Sequence, residues 1–93
     1  FDIIIHTIIK PRHELLCAIV KSLLGDHANE DTIKKCVFSI VGQCLHYRYG
    51  RNVISTIYPF LPFDNAGIEA IAKHVADFSL SGIRHYAKQI KKA

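Results

Sequence analysis

Six histidines and three cysteines (Cys17, Cys36 and Cys44) are the side chains of this 93-residue chain best suited to hold a metal ion. Their spacing argues against it. Cys44 and His46 stand two apart and so point to different sides of a helix. His6 and His13 are seven apart, but Pro11 lies between them. His74 and Asp77 are three apart, and His85 follows His74 by eleven. No Cys-x-x-Cys or His-x-x-x-His pair occurs, so the pattern predicts scattered surface and interface histidines, with no metal site and no cofactor. Covalent catalysis fares no better. There is no Gly-x-Ser-x-Gly elbow and no glycine-rich phosphate loop, and the acids gather mostly at helix starts. We read the chain as a non-enzyme with no catalytic residues.

One cluster does suggest binding. His46-Tyr-Arg-Tyr49, with Tyr58, Phe60 and Phe63 downstream, mixes aromatic and cationic groups suited to an aromatic or anionic small molecule. The competing reading is that these aromatics plug the open end of a core. Gly42 and Gly82 are a second signal. Each lies on or beside an apolar stripe of a helix, where glycine costs about 1 kcal/mol relative to alanine. Bare backbone there suits close approach of another helix; chance at an exposed site is the alternative.

The elements that must carry these residues are helices. From about Asp2 to Leu24 apolar residues recur at helical spacing, with Pro11 predicting a kink or very short break. Gly25 is the expected stop and Asn29 the cap of the next helix. That helix should run to about 48–50 and bury Ile33, Val37, Ile40, Val41, Cys44 and Leu45, with Phe38 beside them. Residues 52–58 predict a short helical turn laying Val53, Ile54 and Ile57 on the core. Pro59-Phe-Leu-Pro62 should be a packed, extended connection. A third helix is expected from Asp64 or Asn65 to about Lys91, with apolar residues at steps of three and four. Some 26 residues of helix span about 39 Å. A compact body of this size has a radius of gyration of about 12 Å. The helix outreaches the body, which predicts an extended bundle.

Composition agrees. Hydrophobic residues make up 49% of the chain, a high share for a body that small chains can only partly close over. No apolar run is long enough to span a membrane. The net charge of +4 is dispersed, without the aromatic-interleaved basic stripe of a nucleic-acid surface. Three cysteines without a pairing pattern read as reduced, buried thiols of a cytoplasmic protein. The start at Phe1, within an apolar pattern and without methionine, reads as the interior of a longer polypeptide, so residues 1–93 form a single C-terminal domain.

The strings Val37-Phe-Ser-Ile-Val-Gly-Gln-Cys-Leu-His-Tyr-Arg-Tyr49, Arg51-Asn-Val-Ile54 and Ile68-Glu-Ala-Ile-Ala-Lys-His-Val-Ala-Asp-Phe-Ser-Leu-Ser-Gly-Ile-Arg84 resemble the C-terminal domain of TetR-family transcriptional regulators, nearest to the CecR-like subgroup. The resemblance covers about residues 8–86. It implies an all-α domain of three main helices, the last two forming a four-helix bundle with a two-fold mate. It also implies a homodimer, a small-molecule effector, and DNA binding through an N-terminal helix-turn-helix outside this chain. Carried over by position, Phe38, Val41, Gly42, Leu45, Ile71, His74, Val75, Phe78 and Gly82 become candidates for the dimer interface. Leu16, Val20, Val37, Val41, Cys44 and Tyr47 are candidates for an effector pocket between the first two helices. A standalone helical homodimeric module unrelated to transcription is the alternative.

Overall fold

The computed structural model describes residues 1–92, and no strand occurs among them. The chain runs through α1 (Asp2–Ile4), a π-helical turn (Ile5–Ile9), α2 (Lys10–Leu24), α3 (Glu30–Tyr49), α4 (Arg51–Ile57) and α5 (Asn65–Lys92). The all-α expectation holds. The first three segments run on without a break in helical structure. Proline cannot donate to the carbonyl four residues back, here that of Thr7, and its ring collides with it. The preceding turn widens instead, so that the Lys10 N–H reaches the Ile5 carbonyl. Pro11 then sits in the first turn of α2, and of the expected kink or short break, the break does not occur.

The helix ends follow their side chains. Gly25 stops α2 with φ of 102°, a conformation that other residues resist. The Asn29 side chain caps α3, its Oδ1 accepting from the Thr32 N–H at 2.8 Å. Asp64 Oδ1 accepts from the Gly67 N–H at 2.8 Å and starts α5. Gly67 is required there, because a Cβ would fall on the Pro62 carbonyl.

The core is small. Val20 and Leu24 from α2, Ile33, Cys36 and Val37 from α3, and Ile83 from α5 form one buried cluster, and Val75 is buried nearby. Burial pushes the Cys36 thiol pKa up; Cys17 is half-buried, and Cys44, expected inside, is exposed. The body measures 44 × 36 × 20 Å with a radius of gyration of 15.5 Å. It exposes 7426 Å², where a compact monomer of this mass would expose about 5,400 Å².

Three expectations about packing fail. On α3, Val41 and Leu45 are exposed rather than buried. They lie off the Ile33–Val37–Ile40 stripe, and α2 and α5 together cover only that stripe. On α4, Val53 and Ile57 are exposed and no residue is buried, because α4 leaves the tip of α3 and packs on α3 alone. The Pro59–Pro62 connection is a turn in which the Leu61 N–H reaches the Tyr58 carbonyl at 3.4 Å, and Phe60 is 80% exposed.

Candidate ligand groove and helix-pairing face

Two clefts flank the contact between α3 and α5. The larger, about 560 Å³, opens between α2, α3 and α5. Its α2 wall is Leu16, Ile19, Val20 and Leu23. Its α3 wall is Ile40, Cys44 and Tyr47. Its α5 wall includes Ile68, Ile71, Ala72, Val75, Ala76 and Leu80. Arg48, Arg51 and Phe63 close one end, with the Arg51 guanidinium 4.8 Å over the Phe63 ring. Side chains on three helices converge here because each helix carries apolar residues to either side of its buried stripe, and the small core leaves one side unfilled.

Of the residues expected in an effector pocket, Leu16, Val20, Cys44 and Tyr47 line this groove. Val37 does not: it is fully enclosed in the core. Val41 does not line it either. The aromatic and cationic cluster divides similarly. Tyr47, Arg48 and Phe63 reach the groove, while Tyr49, Tyr58 and Phe60 lie exposed. The α5 wall was missed, although Ile68, Ala72, Ala76 and Leu80 recur every four residues and mark a second apolar stripe on that helix.

The second cleft, about 400 Å³, lies on the face of α3 and α5 turned away from α2. Ser39, Gln43, Phe78, Ser79, Gly82 and Tyr86 are among its lining residues. Gln43 Nε2 donates to Ser79 Oγ at 3.0 Å and ties the two helices together. At one edge Lys35 pairs with Asp31 at 2.9 Å, and the hydrogen bond and charge of that carboxylate raise the Lys35 pKa. A Cβ added at Gly42 or Gly82 would meet nothing within 4 Å, so no helix of this chain presses on either glycine.

The residues expected at a dimer interface fall on several sides. His74, Phe78 and Gly82 are on the outer side of α5 and exposed, whereas Val75 is buried and Ile71 half-buried, both lining the groove. Val41 and Leu45 each stand two residues from Gln43, so about 160° around α3 from the side that meets α5. Phe38 is on that other flank too, its ring stacked on His13 of α2 at 5.6 Å. Gly42 faces straight outward between the two flanks.

A polar clasp holds α2 to α3 on the Phe38 flank. Lys34 Nζ lies 3.0 Å from His13 Nε2, 3.7 Å from Cys17 Sγ and 3.5 Å from Glu30 Oε1. Among the described residues no three histidine, cysteine or carboxylate side chains converge as a metal site, and no helix is long and apolar enough to cross a membrane.

The fold is thus an all-helical domain whose open features are an apolar groove and an uncovered helix pair. The model of the C-terminal domain of the HTH-type transcriptional dual regulator CecR matches residues 1–83. The chain belongs to that family, and so is the C-terminal part of a transcriptional regulator rather than a member of an enzyme family. Neither a curated protein nor a solved structure matches it.

Proposed function

We propose that this chain is the ligand-responsive dimerisation domain of a TetR-type repressor, with DNA read by a separate N-terminal helix-turn-helix. The observation that carries this is the unfinished surface. The chain exposes about 2,000 Å² more than a compact monomer of its mass. Each partner of an obligate dimer covers roughly that much. Two-fold closure is the commonest way to cover it. A mate that packs a four-helix bundle on both α3 and α5 would do so across the face turned away from α2, where Gly82 and Ser39 leave backbone accessible, Phe78 and His74 project, and Gly42 lies at the edge. Ile71 and Val75 would support that face from behind. Phe38, Val41 and Leu45 would stay outside it.

The groove supplies the response. Its walls are α2, α3 and α5, and the last two are also the pairing helices. A ligand seated against Leu16, Val20, Cys44 and Tyr47 bears on α5 from the opposite side and alters how the two pairs meet. The DNA-reading heads sit about 34 Å apart on successive turns of the duplex. Coupling of about 1–3 kcal/mol between the two sites is the usual size for such a response. In the cell this domain works in the cytoplasm, where the DNA is.

Operator binding by the full-length regulator tests the reading. Tyr47→Ala should weaken release by the effector and leave the dimer intact; an unchanged response removes Tyr47 from the site. The isolated chain should form no specific DNA complex, and one that survives about 200 mM salt would contradict the division of labour.

A further inference from the structure

We infer that the groove selects amphiphilic anions: molecules with an apolar body and a single carboxylate, sulfate or sulfonate head, the head held at the end formed by Arg48 and Arg51. This rests on reading the groove as the effector site and adds the chemistry of what enters it.

The charge distribution carries the inference. The groove is lined by no acidic residue, no lysine and no histidine. Among the described residues its formal charges are two guanidinium groups, and both are at one end. Arg48 and Arg51 are three apart in sequence but on different helices, since α3 ends at Tyr49 and α4 begins at Arg51. The turn at Gly50 lets both border one cleft. Among the described residues, the ion pairs are Lys34–Glu30, Lys35–Asp31 and Lys73–Asp77. Among the described residues no carboxylate pairs with either groove arginine. The Arg51 guanidinium is stacked 4.8 Å over the Phe63 ring. Stacking occupies its face and leaves its hydrogen-bonding edges for a planar oxyanion.

A neutral apolar ligand would fill the groove and leave both cations without a partner. A cationic one would meet like charge at the arginine end. An anion with an apolar tail satisfies both ends. The volume of about 560 Å³ is that of a small-molecule site.

Two fluorescent probes that share one aromatic body separate the terms: 8-anilinonaphthalene-1-sulfonate and its uncharged counterpart N-phenyl-1-naphthylamine. The sulfonate should bind at least about tenfold more tightly at low ionic strength, as charge-assisted hydrogen bonds allow, and added salt should weaken it alone. R48Q/R51Q should abolish the preference and leave the neutral probe's affinity unchanged. Both arginines are exposed, so helix content should not change. Ala76→Trp, which fills the groove from α5, should remove both signals, with Ala72→Phe as a second blocking variant. Equal affinities that ignore the arginine changes would overturn anion selection and leave the groove as the site. Binding of both probes that survives the two blocking variants would overturn the groove as the site as well.

Discussion

The two clefts beside the α3–α5 contact differ in what lines them. The larger is walled by branched apolar side chains, has cations only at one end, and reaches across three helices. The smaller mixes Cys36, Ile83, Phe78 and Tyr86 with Ser39, Gln43, Ser79 and bare backbone at Gly82, and belongs to two helices alone. A concavity of the first kind suits a molecule with its own shape. A cleft that mixes apolar side chains with hydroxyl and amide groups, and has bare backbone at Gly82, suits a rigid rod, because another helix can approach the backbone there and its side chains can reach those polar groups. The same two helices thus present two unlike clefts about 10 Å apart, one helix thickness. That proximity makes coupling between them physically direct.

The comparison depends on the shared core and breaks with it. Ile33→Ala should cost about 2–5 kcal/mol, because the side chain is 4% exposed and its removal leaves a cavity between α2 and α3. Urea unfolding followed by circular dichroism would show it, and both clefts should be lost together. Gly82→Leu sharpens the contrast by touching one side only. The open space around Gly82 means the folded monomer should keep or slightly gain stability, since glycine is the poorer helix former. Dimerisation should weaken by about 1–3 kcal/mol from overpacking, read from sedimentation across a concentration series, while probe binding in the groove is retained.

Asn29→Ala should cost about 1 kcal/mol through loss of the α3 cap, visible as a lowered urea midpoint. It frays the turn that carries Asp31 and Thr32 at the rim of the smaller cleft, so pairing should suffer more than groove binding. The smallest effect is expected at Lys73 and Asp77, on the exposed back of α5, outside both clefts. The Lys73 hydrogen bond and charge hold the Asp77 carboxyl pKa down. A depressed carboxyl contributes stability above its unfolded value, about 3.9, and loses it as pH falls through the lower folded value. Wild type and Asp77→Asn should therefore differ slightly at neutral pH and low salt and converge in strong acid. Both side chains are solvent-exposed, so added salt should erase the difference.

Much of the framework was legible in the residues. Gly25, Asn29 and Asp64 mark helix ends because a left-handed stop and side-chain caps are local chemistry. The long apolar repeat of α5 fixed its length, and the shape of the molecule follows from it. What was not legible depends on how helices are rotated against one another. Ten or more apolar residues spread around α3, so sequence could not tell which of them α2 and α5 would cover, and Val41 and Leu45 were put inside. The groove's third wall needed the placement of α5 over α2, which no spacing within α2 and α3 encodes. Val53 and Ile57 were apolar residues near a core, but the turn at Gly50 sends α4 off the end of it. The π-helical turn before Pro11 is a response of backbone geometry to one ring, with the same sequence signature as a kink.

Sedimentation equilibrium of the chain at micromolar concentration bears most directly on the pairing face. A species of about twice the 10.5 kDa chain mass, shifted toward monomer by Gly82→Leu but not by Leu45→Ser on the opposite flank of α3, is the expected result. A 10.5 kDa species at every concentration, or a dimer that Leu45→Ser dissociates and Gly82→Leu leaves intact, would contradict it.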